Sequence, residues 1–197
     1  AAPDKAELFS LISHQAVNPA LPQGHPFTDV SPVYYWTGDI CARLPDEAWY
    51  LHLGGGRVYR GMKHGSYMVW PVMAPAFCGR SPNPRFARDG SVVRDRLTGL
   101  TWLQNLDIAR GLVEWSEALQ TVREANRCRM AGFSDWRLPN IRELESLVDI
   151  ENHSPALSRD HPFHSVQTGY WSSTTSVYEP RYAWTLYLRD GAIGVGF

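Results

Sequence analysis

The sequence predicts an α+β fold of short antiparallel strands, two helices and long loops, built from one partial and one nearly complete copy of a repeated unit. Three observations lead to this prediction. Residues 182–188 alternate between the two faces of a strand and precede the turn-forming pair Asp190-Gly191, which predicts a β-hairpin. Apolar residues spaced three and four apart follow Ser116 and Asn140, which predicts two helices. A long part of the pattern also occurs twice.

The repeat is visible when the chain is aligned with itself. Residues 1–27 match residues 137–163 without a gap, with 11 identical pairs among 27. Further on, Tyr35-Trp36 matches Tyr170-Trp171, and Trp49 matches Trp184. The alignment divides the chain as follows: a first copy (residues 1–73, the C-terminal half of a unit), a linker (74–84) and a second copy (85–197, lacking its last strand).

Each copy lacks elements at one end, because residues 67–72 of the first copy have no counterpart in the second. The sequence leaves two explanations open. The natural protein is longer, or the first copy supplies the strand that the second copy lacks.

Local signals place the remaining elements of the second copy. We expect a hairpin around Thr98-Gly99, a helix over residues 116–126 with Ser116 as N-cap, and a helix after Asn140. Asn140 and Glu143 form a capping box, in which each side chain bonds to the other residue's backbone. The buried stripe of that helix is expected at Leu144, Leu147 and Val148. The expected strands are residues 91–94, 100–103, 170–174, 182–188 and 192–197.

Composition excludes several classes of protein. A formal net charge of −1 argues against a general nucleic-acid binder, and no apolar run approaches the roughly 20 residues of a membrane span. The three cysteines show no zinc-type spacing. A disulfide between Cys78 and Cys128 is the favoured pairing, and three free thiols are the alternative.

A set of motifs, in order along the second copy, resembles the Lcl C-terminal domain family. The set comprises Gly132 to Asn140 with Glu143, then Tyr170 to Thr174, and then Ala183-Trp184 with Asp190-Gly191. The expected structural residues of the motif are Trp136, Pro139, Asn140, Glu143, Trp171 and Trp184. The resemblance implies a C-type-lectin-like fold related to the formylglycine-generating enzyme group. It also implies binding of glycans or glycosaminoglycans, a role in attachment, no shared catalytic residues, and an extracellular, cell-surface or periplasmic location in bacteria.

Candidate chemical sites are weak in this sequence. Glu179-Pro180-Arg181 lies where a lectin would hold calcium and sugar, but it places a cation where an amide oxygen is needed. Three closely spaced histidines could bind zinc, yet only His161 is repeated in the first copy, which favours a packed loop anchor. Scattered cysteines argue against an oxidase. We therefore expect no catalytic residues, no metal and no cofactor.

The loop over residues 172–181 differs fully between the copies, and variable loops on a rigid scaffold commonly carry binding. The expected ligand-binding residues are Tyr178, Glu179, Arg181 and Tyr182. The leading hypothesis is a non-enzymatic extracytoplasmic binding module that recognises a glycan or a protein, in adhesion. The alternatives are a structural subunit that self-associates by strand donation, and an oxidase of the related enzyme group.

Overall fold

The computed structural model describes residues 1–73 and 84–196. Within these ranges the chain forms three α-helices, one short 3-10 helix and nine strands. The helices are α1 (Lys5–Ser10), α2 (Trp115–Arg127) and α3 (Ile141–Glu145), with the 3-10 helix at Met130–Gly132. The strands are β1 (Tyr34–Ile40), β2 (Glu47–His52), β3 (Arg57–Met62), β4 (Phe86–Asp89), β5 (Val92–Asp95), β6 (Thr101–Leu103), β7 (Gly169–Thr175), β8 (Ala183–Tyr187) and β9 (Ala192–Gly196). The α+β prediction is confirmed.

The strands form two antiparallel sheets, one of six strands in the order β1-β2-β3-β9-β8-β7 and one of three in the order β4-β5-β6. Strands β1, β2 and β3 of the first copy correspond to β7, β8 and β9 of the second. Each set of three runs in this order from one edge of the six-stranded sheet to its middle. The two copies therefore share one sheet, with an approximate twofold relation between them. They join where Val58 of β3 lies opposite Ile193 of β9.

The repeat extends to details of the backbone. Each copy has a cis peptide bond before its repeated proline, at Asn18-Pro19 and Ser154-Pro155, and both preceding residues have positive φ. The amide of Ala20 donates to Leu53 at 2.6 Å, and the amide of its counterpart Ala156 donates to Leu188 at 2.7 Å. Equivalent irregularities interrupt β1 and β7 after their tryptophans. The two copies therefore fold alike where they overlap.

The main core lies between the inner face of the large sheet and the short helices α1 and α3. Both copies contribute to it, through Leu8, Ile12, Trp49, Leu51, Val58, Leu144, Trp184, Leu186 and Ile193. Each short helix begins with a capping box, Asp4 with Glu7 in α1 and Asn140 with Glu143 in α3. The cap predicted at Asn140 is confirmed.

Buried ion pairs join the two copies. Lys5 Nζ lies 3.0 Å from Glu145, and Arg60 Nη1 lies 2.6 Å from Asp190, in both cases with largely buried side chains. The segment after β3 stays within the first copy, because Met68 pairs with Tyr35 in a parallel bridge. Residues 67–72 therefore do not supply a strand to the second copy in this structure.

Several local predictions need correction. Helix α2 begins at Trp115 with Glu114 as its N-cap rather than at Ser116, and the Glu114 amide donates to the Glu117 carboxylate at 3.1 Å. Helix α3 ends at Glu145, so Leu147 lies in the loop after the helix and enters the core from there, rather than from a longer helix. The hairpin around Gly99 is part of a three-stranded sheet, because β4 pairs with β5.

Within the second copy, Arg85 joins the smaller sheet to the segment that follows α3. Its guanidinium bonds to the buried carboxylate of Asp95 at 2.6 Å and to the Ser146 carbonyl, just after α3, at 2.8 Å. The ring of Phe86 also packs against Phe163 at 5.4 Å. Over the described ranges, none of the helices is long and apolar enough to cross a membrane.

Candidate functional site

The predicted ligand-binding residues lie together in the loop between β7 and β8. The loop is a compact turn, in which the Ser176 amide donates to Tyr182 at 2.8 Å and the Tyr182 amide donates to Glu179 at 2.9 Å. Arg181 Nε bonds to Glu179 at 3.0 Å, which lowers the pKa of the Glu179 carboxyl and raises that of Arg181. These charges pair with each other, and Tyr178, which is 77% exposed, is the most exposed large hydrophobic side chain of the loop.

The residues of the sequence motif have structural contacts. Trp184 is buried, Trp136 Nε1 donates to the Met130 carbonyl at 2.9 Å, and Trp171 Nε1 donates to the Val113 carbonyl at 2.8 Å. Arg137 holds Glu143 with two hydrogen bonds of 2.7 and 2.6 Å, which lower the pKa of the Glu143 carboxyl. Each tryptophan is therefore held by packing or by a hydrogen bond.

The repeated histidines also have similar surroundings. His161 stacks on Phe163 with ring centres 6.1 Å apart, and His25 stacks on Phe27 at 6.0 Å. Both pairs fit the predicted loop anchor. In the part of the chain that the structure describes, no group of three His, Cys, Asp or Glu side chains could hold a metal ion. Cys128 is exposed, and Cys78 lies outside the described residues, so the disulfide stays a prediction.

A different surface stands out on the outer face of the first copy. Strand side chains alternate between faces, so Tyr35, Leu51 and Val58 point into the core, and their neighbours point outward. Six rings occupy this outer surface, which we call the aromatic face. They are Tyr34, Trp36, Tyr50, His52, Tyr59 and Tyr67.

The rings of the aromatic face touch one another continuously. Tyr50 lies at the centre, with ring centres 5.2 Å from Tyr34, 6.5 Å from Tyr59 and 5.0 Å from Tyr67. Trp36 stacks against Tyr67 at 4.3 Å. Tyr34 and Tyr59 are 43% and 47% exposed. The result is a continuous surface of rings, in which Tyr34 and Tyr59 are the most exposed.

Tyr67 is not in a strand, and one glycine allows it to lie on the sheet. A Cβ at Gly61 would stand 3.0 Å from the Tyr67 hydroxyl and 3.2 Å from the Tyr50 ring. Gly61 therefore leaves room for the close approach of Tyr67.

The aromatic face is uncharged near neutral pH apart from its border. Burial raises the pKa of Tyr50, and neighbouring tyrosines add to the effect. Burial, followed by the nearby Arg57, lowers the pKa of His52, so its imidazole is neutral at pH 7. Arg57 itself is exposed at the edge. This surface can stack on a flat apolar group, while its hydroxyls exchange hydrogen bonds at the rim.

The second copy shows that the core shared by the two copies does not require three of these rings. The counterparts of Tyr34, Tyr50 and Tyr59 are Gly169, Thr185 and Gly194, at the matching positions of β7, β8 and β9. The buried counterparts are retained, as with Trp49 and Trp184. The copies therefore agree in the core and differ at three of the five strand positions of the aromatic face, since Trp36 and His52 correspond to Trp171 and Tyr187.

Sequence reasoning missed the aromatic face, although a signal was present. Tyr34 and Trp36 are two residues apart, as are Tyr50 and His52, and this is the spacing of one face of a strand. Inward residues of the same strands, such as Tyr35 and Leu51, are also apolar. Because both faces are apolar, composition did not show which one is exposed.

Comparison with known proteins identifies a family. The model described as the Lcl C-terminal domain matches residues 2–73 and 91–197, two segments consistent with a tandem arrangement. No curated protein and no solved structure matches the chain.

Proposed function

The chain belongs to the Lcl C-terminal domain family, and we propose that it is a non-enzymatic, extracytoplasmic binding module that holds a glycan on its aromatic face. A C-type-lectin-like fold for each copy and a role in adhesion are parts of the same proposal. One observation carries it, namely the six contiguous rings on an outer sheet face, where the second copy has Gly169, Thr185 and Gly194 in place of Tyr34, Tyr50 and Tyr59.

The chemistry of the aromatic face fits a sugar. A pyranose with equatorial hydroxyls has C–H groups on both faces and hydroxyls around its rim. Tyrosine offers the complementary arrangement, a flat apolar ring with a hydroxyl at its edge. The six side chains of the aromatic face include no carboxylate, which favours such a sugar over a cationic ligand.

The shape of the surface favours a polymer over a small molecule. The rings stand on an open sheet, with the most exposed ones, Tyr34 and Tyr59, at opposite ends and Tyr50 between them. A small molecule is normally enclosed in a cleft that covers most of its surface. An extended polysaccharide can instead lie along the aromatic face and contact successive rings.

The test is a glycan array followed by calorimetry on the protein and its variants. The array includes β-1,4-linked oligomers of glucose and of N-acetylglucosamine. Changing Tyr34 or Tyr59 to Ala removes one exposed ring each, worth about 1 kcal/mol of stacking, and should raise Kd about fivefold to tenfold. Tyr178→Ala is the matched control, because it also removes an exposed tyrosine but lies in the loop after β7.

Two results would overturn the proposal. A silent array would argue against a glycan ligand. Binding that is unchanged in both aromatic-face variants but lost in a Tyr178→Ala, Arg181→Ala double variant would move the site to the predicted loop. Thermal unfolding of each variant confirms that the sheet is intact.

A further inference from the structure

We infer that the ligand site crosses the junction between the two copies, so that one linear glycan lies across the strands from Trp36 to Tyr187. This inference rests on the proposed function and adds two statements to it. The second copy contributes a ring, and full affinity requires a ligand long enough to reach that ring.

The strand register supports the path. Residues opposite one another in antiparallel strands point to the same face. Trp36 lies opposite Tyr50, and Tyr50 lies opposite Tyr59. The pair Val58 and Ile193 sets the register across the junction, which places Tyr59 opposite Ala192. Ala192 in turn lies opposite Tyr187. We call this line of residues the long row: Trp36, Tyr50, Tyr59, Ala192 and Tyr187.

Tyr187 is suited to continue the surface. Its side chain is 39% exposed, whereas its strand neighbours Leu186 and Leu188 are buried. Its ring lies over Gly194 of β9, since a Cβ on that glycine would stand 3.4 Å from Tyr187 Cε2. Between the two exposed tyrosines, Ala192 is only 1% exposed. The long row therefore has exposed rings on both sides of the junction and a small residue between them.

The neighbouring row offers no such path. It runs from Tyr34 through His52 and Arg57, and then reaches Gly194, Thr185 and Trp171 in the second copy. Thr185 is buried, and Trp171 bonds to the Val113 carbonyl. Only the long row places an exposed ring beyond the junction, so it defines the direction of the ligand, and Tyr34 flanks this path with its ring 5.2 Å from that of Tyr50.

The long row also sets a length. From β1 to β8 there are four strand intervals of about 4.8 Å each, or about 19 Å in all. One unit of an extended pyranose chain advances by a similar distance to one strand interval. A disaccharide therefore covers the first-copy rings alone, whereas a tetrasaccharide reaches Tyr187.

The experiment measures Kd for the disaccharide, tetrasaccharide and hexasaccharide of the β-1,4-linked glucose series and of the β-1,4-linked N-acetylglucosamine series. The tetrasaccharide should bind about tenfold more tightly than the disaccharide, and the hexasaccharide little better. Tyr187→Ala should remove that gain and leave disaccharide binding unchanged. Tyr187→Phe should keep most of the gain because it keeps the ring. Tyr178→Ala is again the control.

The outcomes separate the two claims. Equal affinity for the disaccharide and tetrasaccharide, or a length gain that survives Tyr187→Ala, would overturn this inference while leaving a glycan site on the first copy. Failure of all three oligomers to bind would overturn the proposed function together with the inference. A Tyr187→Ala variant that weakens every length equally would point to a general change in the sheet, which also contradicts the inference.

Discussion

The turn before β9 gives a sharp test of the packing. Gly191 has φ +86, and a Cβ built on it would stand 2.6 Å from Val148 Cγ1. Gly191→Ala therefore combines a left-handed backbone with an overlap. The left-handed conformation destabilises a non-glycine residue by roughly 1–2 kcal/mol, partly offset by the reduced entropy of the unfolded chain. Forcing an extra methyl into a packed site adds about 1–3 kcal/mol.

Gly90 provides the matched control. It also has positive φ, at +60, but a Cβ there meets nothing within 4 Å. Gly90→Ala should therefore destabilise by about 1 kcal/mol, and Gly191→Ala by about 3 kcal/mol. The repeat supplies a second comparison, because Gly56 has φ +82 and its Cβ would stand 2.6 Å from Ile12 Cγ2. Gly56→Ala should behave like Gly191→Ala.

Urea unfolding of the variants measures these differences as free energies. A double-mutant cycle isolates the overlap, because Val148→Ala should be less destabilising in the Gly191→Ala background than in the natural sequence. Equal losses for Gly90→Ala and Gly191→Ala would refute the packing argument. A cycle with no coupling between positions 148 and 191 would place the loss in the backbone alone.

Three further predictions concern stability. Asp190→Asn removes the partner of Arg60 in a buried pair between the copies and should lower the free energy of unfolding by about 2–3 kcal/mol, whereas Glu124→Gln on the exposed face of α2 should change it by less than about 0.5 kcal/mol in urea titrations. Burial lowers the pKa of His14 from 6.5 to about 4. Between pH 6.5 and pH 4, His14 is therefore protonated in the unfolded chain and neutral in the folded protein. Stability should fall as pH drops from 6.5 to 4, and thermal unfolding of His14→Gln should show a weaker fall. Asn140→Ala removes the cap of α3 and should lower the free energy of unfolding by about 1 kcal/mol, which a lower melting temperature would show.

Local signals in the sequence predicted much of the fold because they act over a few residues. The capping box at Asn140 and Glu143, the turn at Gly191 and the strand alternation before it are short-range patterns, and each occurs where expected. Helix α3 is the exception. Leu147 and Val148 follow the helical spacing, but the helix ends at Glu145. Both residues contribute to the core from the following loop, so burial alone explains the pattern.

The order of the large sheet was not predictable in the same way. Joining β3 to β9 depends on how two edge strands meet in space, and a repeat does not say whether its copies pair side by side or remain separate. The contacts between the copies include single long-range pairs such as Lys5 with Glu145 and Arg60 with Asp190. Such pairs involve ordinary charged residues, which carry no positional signal in one sequence.

The two candidate binding surfaces differ in the kind of evidence behind them. The loop carrying Tyr178 was selected because it varies between the copies, and it is indeed exposed, but Glu179 and Arg181 neutralise each other within it. The aromatic face also varies between the copies, on strands that are otherwise matched pair by pair. The core keeps its residues, whereas the counterparts of Tyr34, Tyr50 and Tyr59 in the second copy are two glycines and a threonine, so the core shared by both copies does not require these three rings. We propose a ligand as the reason for them, and under the same proposal the sheet shared by both copies lets the second copy extend the path of that ligand through Tyr187.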